Sequence, residues 1–295
     1  HSGIGNLQQV KYWEDLGANV LTLAHSVNRN FALLESLLSY TKQTGTRLRL
    51  IANNICLREC PYKLSHGTSN AHASQAGHAS SGFFIDYNLL SCTYRKIANP
   101  ANLIASEWIR PEDIRFYEAL CDKTGNENLS IKLLERTKKT TFLMRVVQAY
   151  MDRSYEGNLL EIMAWPDYQG TDFKILAAVW NAMKGGYNLK EIGKFMGFFR
   201  IPPIHIDNKK LDGFLDKFLC NDDCTRRICE VAACSGEKEP GNGAGSVGCG
   251  YCKRWAEKTV GFNPDEITAW LRQAEESMEI IHQSRLFYNK KTVSS

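Results

Sequence analysis

"NVLTLAHSVNRNFALLESLLSYTKQTGTRLRLIAN", residues 19 to 53, decides the fold class of this chain. It opens on a short apolar run, "NVLTLA" (19 to 24), and closes on another, "RLRLIAN" (47 to 53). Between them, "NFALLESLLSYTKQT" sets Phe31, Leu34, Leu37 and Leu38 on one side of a helix. Strand, helix, strand implies that the two strands run parallel, because a crossover helix is what lets successive strands point the same way.

Working outward, the same alternation recurs. "FFIDY" (83 to 87) reads as a strand ahead of the helical "RPEDIRFYEALC", in which Pro111 suits a first turn and Glu112 and Asp113 complement the positive end of the helix dipole. "LSIKLLE" (129 to 135) leads into "TTFLMRVVQAYMDRSYEG", a helix that Gly157 is expected to close. About four β/α units result, which makes either a doubly wound sheet or half of the eight units of a closed barrel. After Gly157 the pattern changes. "TDFKILAAVWNAMKGGYNLKEIGKFMGFF" reads as two helices parted by Gly185-Gly186, "RIPPIHIDNKKLDGFLDKFL" as an irregular connector, and "PDEITAWLRQAEESMEIIHQSRLF" as a closing helix. The expected organisation is α/β: a partial (β/α) barrel over 1–160 and a helical, cysteine-rich extension over 161–295.

At 295 residues and 43% hydrophobic, the chain can bury a large core. A net charge of +4, with acids and bases mixed, gives no support to RNA or a polybasic membrane anchor, although RNA stays open as a substrate. No apolar stretch is long enough to cross a bilayer, and "HSGIGNLQQ" lacks the regions of a signal peptide, so the expected location is cytoplasmic. Ten cysteines are too few for a disulfide scaffold and many for a cytosolic enzyme, which points to metal or redox chemistry.

Apart from Cys121, the thiols fall in two groups. In "NNICLRECPYKLSHG" (53 to 67), Cys56 and Cys60 stand at a spacing that on a helix would aim both sulfurs to one side, and Cys92 follows in "NLLSCTYRK". Soft thiolates of this kind suit iron-sulfur or zinc; the competing reading is buried structural thiols. His66, His72 and His78 come too soon after Cys60 for a zinc finger and read as loop histidines. The tail carries Cys220, Cys224, Cys229, Cys234, Cys249 and Cys252, more than a glycine-rich loop can bury, and this favours metal ligation there too. "GAGSVG" (243 to 248) matches a dinucleotide fingerprint by letter but follows no strand, and HExxH, GxSxG and a P-loop are missing. At the expected strand ends stand Asn28, Arg29, Asn53, Asn54, Lys132, Glu135 and Arg136; of these, Arg29 and Arg136, together with Arg58, could pair bidentately with an anionic substrate.

Taken in order, "VNRNFALLE", "IANNICLRECPYKLSH", "NAHAS", "WIRPEDIRFYE", "IDNKKLDGF" and "CGYCKRWAEK" resemble the U-thirty-two family of collagenase-like peptidases, in a single-domain branch, over almost the whole chain. The resemblance implies an incomplete TIM-type barrel, completed by amino-terminal strands or a partner chain. It implies a 4Fe-4S cluster on Cys56, Cys60, Cys92 and a tail thiol, the candidates being Cys224, Cys229, Cys249 and Cys252. The activity it implies is oxygen-independent hydroxylation of an organic or RNA substrate, with substrate contacts from Arg29, Asn53, Asn54, Arg58, Lys132 and Arg136. Glu135 departs from the family's glycine beside that arginine. The alternatives are a peptidase, as the family label states, and a non-catalytic module stapled by zinc.

Overall fold

The computed structural model describes residues 3–58, 60–73, 87–134, 138–165, 188–219 and 250–285. In chain order the helices are α1 (Leu7–Asp15), α2 (Phe31–Thr44), α3 (Lys63–Ala73), α4 (Tyr87–Ala98), α5 (Ala101–Ala105), α6 (Ile114–Thr124), α7 (Thr140–Asp152), α8 (Leu189–Phe195), α9 (Asp216–Leu219), α10 (Tyr251–Thr259) and α11 (Pro264–His282). The strands are β1 (Val20–Thr22), β2 (Arg47–Ile51), β3 (Leu129–Lys132), β4 (Ile204–Ile206) and β5 (Val260–Phe262).

The opening segment folds as its pattern requires. Asn30 caps α2 by accepting the Leu33 N–H at 2.9 Å, and Gly45, at φ +73°, ends the helix in the left-handed conformation that glycine adopts most easily. β1, β2 and β3 form a parallel sheet in that order, with Leu21 beside Leu48 and Leu48 beside Leu129. Leu21, Leu23, Leu48 and Leu50 face a core shared with Leu34, Leu37 and Leu38 of α2, all buried. Each such leucine contributes about 1.5–3 kcal/mol relative to exposure. α6 packs against α2 through Phe31 and Tyr117, whose rings lie 5.2 Å apart.

Among the described residues the sheet has three parallel strands and does not close into a barrel. The strand expected at 83–87 lies outside the described residues except for Tyr87, which begins α4 instead. α7 ends before Gly157: Arg153 takes the left-handed cap at φ 52°, and its guanidinium pairs with Glu118 at 2.5 Å. The connector after residue 200 is more regular than expected, since β4 pairs with β5 in a second small sheet. No helix among the described residues is long and apolar enough to cross a membrane.

The chain forms two compact units that interleave in sequence, where the sequence pattern suggests one boundary near 160. The first comprises 1–59, 100–165 and 205–261; the second comprises 60–99, 166–204 and 262–295. In the first, the buried Arg110 grips Asp113 through two hydrogen bonds of 2.9 and 2.6 Å, and donates from Nη1 to the carbonyl of Asn208 at 2.9 Å. Asn208 in turn donates to Glu112 and to the Tyr155 carbonyl, both at 2.8 Å. In the second, α11 lies against α4 and α8, with the Trp270 indole donating to the Phe198 carbonyl at 3.0 Å.

Candidate functional site at the carboxyl edge of the sheet

In parallel α/β folds the strand carboxyl ends are where ligands bind, because the loops that leave them converge. Here β1 runs into a single 3-10 turn, His25–Val27, and β2 into the irregular segment that carries Asn53, Asn54, Cys56 and Arg58. Asn28 ties the two together: its amide donates to the Ile51 carbonyl at 2.8 Å and to that of Glu107 at 2.7 Å. Tyr117, whose hydroxyl burial keeps neutral by raising its pKa, donates to the Asn28 carbonyl at 2.6 Å. His25 is buried, with Nδ1 lying 3.5 Å from the Asn54 amide.

Arg29 is 4% exposed. Its guanidinium donates to the carbonyls of Ile104 at 3.0 Å, Ser106 at 2.5 Å and Trp108 at 3.3 Å, and lies over the rings of Trp108 and Phe214. Burial pulls its pKa down, while Cys252, Glu107 and Tyr117 act in the opposite sense. Cys252, buried near the start of α10, therefore lies within electrostatic reach of the guanidinium, so a tail cysteine and a residue of the first strand end are brought into one neighbourhood. Asn53 is likewise engaged with backbone. Its amide donates to Leu134 at 2.5 Å and Ile162 at 3.0 Å, and its oxygen accepts the Leu134 N–H at 2.6 Å.

The other expected residues are distributed as follows. Cys56 is half-buried and not in a helix; nor is Cys60, which precedes Pro61, and the residue before a proline is pushed away from helical geometry. The condition under which their spacing would aim both sulfurs to one side, a helix, is therefore not met. Cys92 lies within α4 rather than in a loop after a strand, and is half-buried. Cys60 and Cys92 belong to the second compact unit, Cys56 and Cys252 to the first. Arg58 and Asn54 are half-buried, and Lys132 is exposed. His66 lies on α3, which is helical where loop was expected. Arg136, Glu135, Cys224, Cys229 and Cys249 lie outside the described residues.

Thiolates suit iron as donors. Among the described residues, however, no three Cys, His, Asp or Glu side chains are grouped so as to hold a metal ion. The described thiols do not by themselves make a metal centre.

No protein-family model matches the chain, and no solved structure matches it. A curated protein does. The chain is similar to an uncharacterized protease of Methanocaldococcus jannaschii. The two are 22% identical over 258 residues, which cover 87% of this chain and 58% of the relative. The chain thus spans a little over half the length of that protease-named relative, and the similarity runs through both compact units. Sequence reasoning did not anticipate the packing role of Glu107 and Trp108. "EWIRPED" shows their residue types, but not that Arg29 and Asn28 reach across to bind this segment's carbonyls.

Proposed function

We propose that this chain is part of an enzyme related to the collagenase-like peptidases, and that it acts at the carboxyl edge of its parallel sheet, where Cys56 and Cys252 carry its thiol chemistry. The observation that supports this is the return of the tail to the first unit: α10, which carries Cys252, packs against α5, whose Ile104 carbonyl accepts from Arg29, while Cys56 follows β2 in the same unit. On this reading Cys56, Cys60, Cys92 and a tail thiol hold a 4Fe-4S cluster, within a TIM-type barrel that further strands complete. The cluster, when bound, supplies electron transfer for oxygen-independent modification of an organic or RNA substrate. The residues around it bind and orient: Asn54 and Arg58 at the end of β2, and Lys132 at the end of β3.

Anaerobically purified protein is expected to be brown, with iron and sulfide in near-equal amounts and broad visible absorbance that is lost in Cys56→Ala. A colourless protein holding zinc would replace this reading with the zinc-stapled module. The second reading, a peptidase, is favoured by the similarity to a relative named as a protease. It predicts cleavage of denatured collagen or casein that survives Cys56→Ala and is lost on replacing a single serine or histidine.

A further inference from the structure

The two faces of the three-stranded sheet carry different side chains. Because strand residues alternate in direction, the buried Leu48 and Leu50 fix Arg47, Arg49 and Ile51 on the opposite side. The register then sets Thr22, Arg49 and Ser130 in one row across β1, β2 and β3, and Ile51 and Lys132 in the next.

Neither Arg49 nor Lys132 has an ion pair or a side-chain hydrogen bond among the described residues, and no carboxylate answers them there. Yet this is not a freely solvated face. Thr22 is 9% exposed and Ile51 5%, and Arg49 is half-buried between them, whereas Ser130 and Lys132 at β3 are exposed. The face is thus closed toward β1 and open toward β3. A half-buried arginine with no ion-pair partner among the described residues leaves its guanidinium fork available to an anion. Adjacent strands lie about 4.8 Å apart and same-face neighbours on one strand about 6.7 Å apart, so the backbone positions of Arg49 and Lys132 stand roughly 8 Å from each other. That separation lets both long side chains reach a single small anion. The Thr22 hydroxyl shares the row, and the Ser130 hydroxyl, now 3.3 Å from the Leu48 carbonyl, can turn toward the same point.

We propose that Thr22, Arg49, Ser130 and Lys132 form a binding site for a small oxyanion, a phosphate or carboxylate group, on the face of the sheet that carries Arg49, with Arg49 as its bidentate anchor. The site uses no cysteine and stands whether or not iron is bound.

The test uses the full 295-residue chain at low salt, titrated calorimetrically with inorganic phosphate and, separately, with malonate. Saturable binding of at least one probe is expected, with a matching rise in Tm; the stronger probe identifies the source as phosphate or carboxylate. Arg49→Gln and Lys132→Gln should each weaken binding about tenfold or more, as loss of a charged hydrogen bond does. Arg49→Lys should keep the charge, lose the fork and fall between. Arg47→Gln, one row away at the exposed start of β2, should bind within about twofold of the parent. Without ligand, Arg49→Gln should melt no lower than the parent, because no partner is left behind. Failure of both probes to bind, or equal binding by every variant, would overturn the site, and neither result bears on the iron and sulfide measurement.

Discussion

Arg29 shows how a charged residue at a strand end can serve the fold. Its guanidinium reaches three backbone carbonyls, those of Ile104, Ser106 and Trp108, under a roof of aromatic rings. Removing it strands those acceptors in the core, so Arg29→Gln is predicted to destabilise by about 3–5 kcal/mol, and Arg29→Lys, which has no fork, to recover little of it. Thermal unfolding would register this as a fall in Tm of roughly 10 °C. Asn53→Ala, which frees both backbone groups of Leu134 and the Ile162 carbonyl, should cost about 2–4 kcal/mol. An unchanged Tm in either variant, with ligand binding lost, would assign that residue to the substrate. The sequence places both at a strand end but does not reveal that they face backbone, because their partners arrive from segments 75 to 109 residues away, a distance local pattern does not encode.

Elements were most readable where burial is one-sided. β1, α2, β2, α6 and β3 all follow from apolar spacing and from caps such as Asn30 and Gly45. The surroundings of Cys56 and Cys60 were not: their spacing would aim both sulfurs one way only on a helix, and neither residue is helical, Cys60 standing directly before Pro61. α7 likewise stops short of Gly157, with Arg153 in the left-handed cap and its guanidinium paired with Glu118 at the surface, a stop that apolar spacing does not signal. Within the second unit, α4 and α11 are joined by the Tyr94 hydroxyl, which donates to Glu275 at 2.6 Å. That hydrogen bond, with some burial, pushes the phenol up to about 12. A phenol raised above its unfolded value of about 10 contributes stability that is complete below that pH and is lost as pH rises through the folded value. Tyr94→Phe should therefore melt below the parent at neutral pH, with the gap closing in strong alkali. Ultraviolet titration should also show one late-ionising tyrosine fewer; an unchanged titration curve would refute the pairing.

Across the whole molecule, interleaving outweighs the apparent division into barrel and extension. The first unit draws on 205–261 for Asn208, which Arg110 holds, and for Phe214, which lies over Arg29. A chain ending at residue 165 is therefore predicted not to unfold cooperatively, and Trp108, fully buried in the intact protein, should emit at longer wavelength. A sharp transition in that fragment would show the sheet and its helices to be self-sufficient. The same threading has a consequence during synthesis. Neither unit is continuous, so when residue 165 leaves the ribosome the first unit still lacks its final stretch, which ends at 261. At typical elongation rates that wait lasts roughly 5 to 20 s. Throughout it Trp108 and its neighbours have no cover of their own, which makes this chain a natural client for chaperones that hold growing polypeptides.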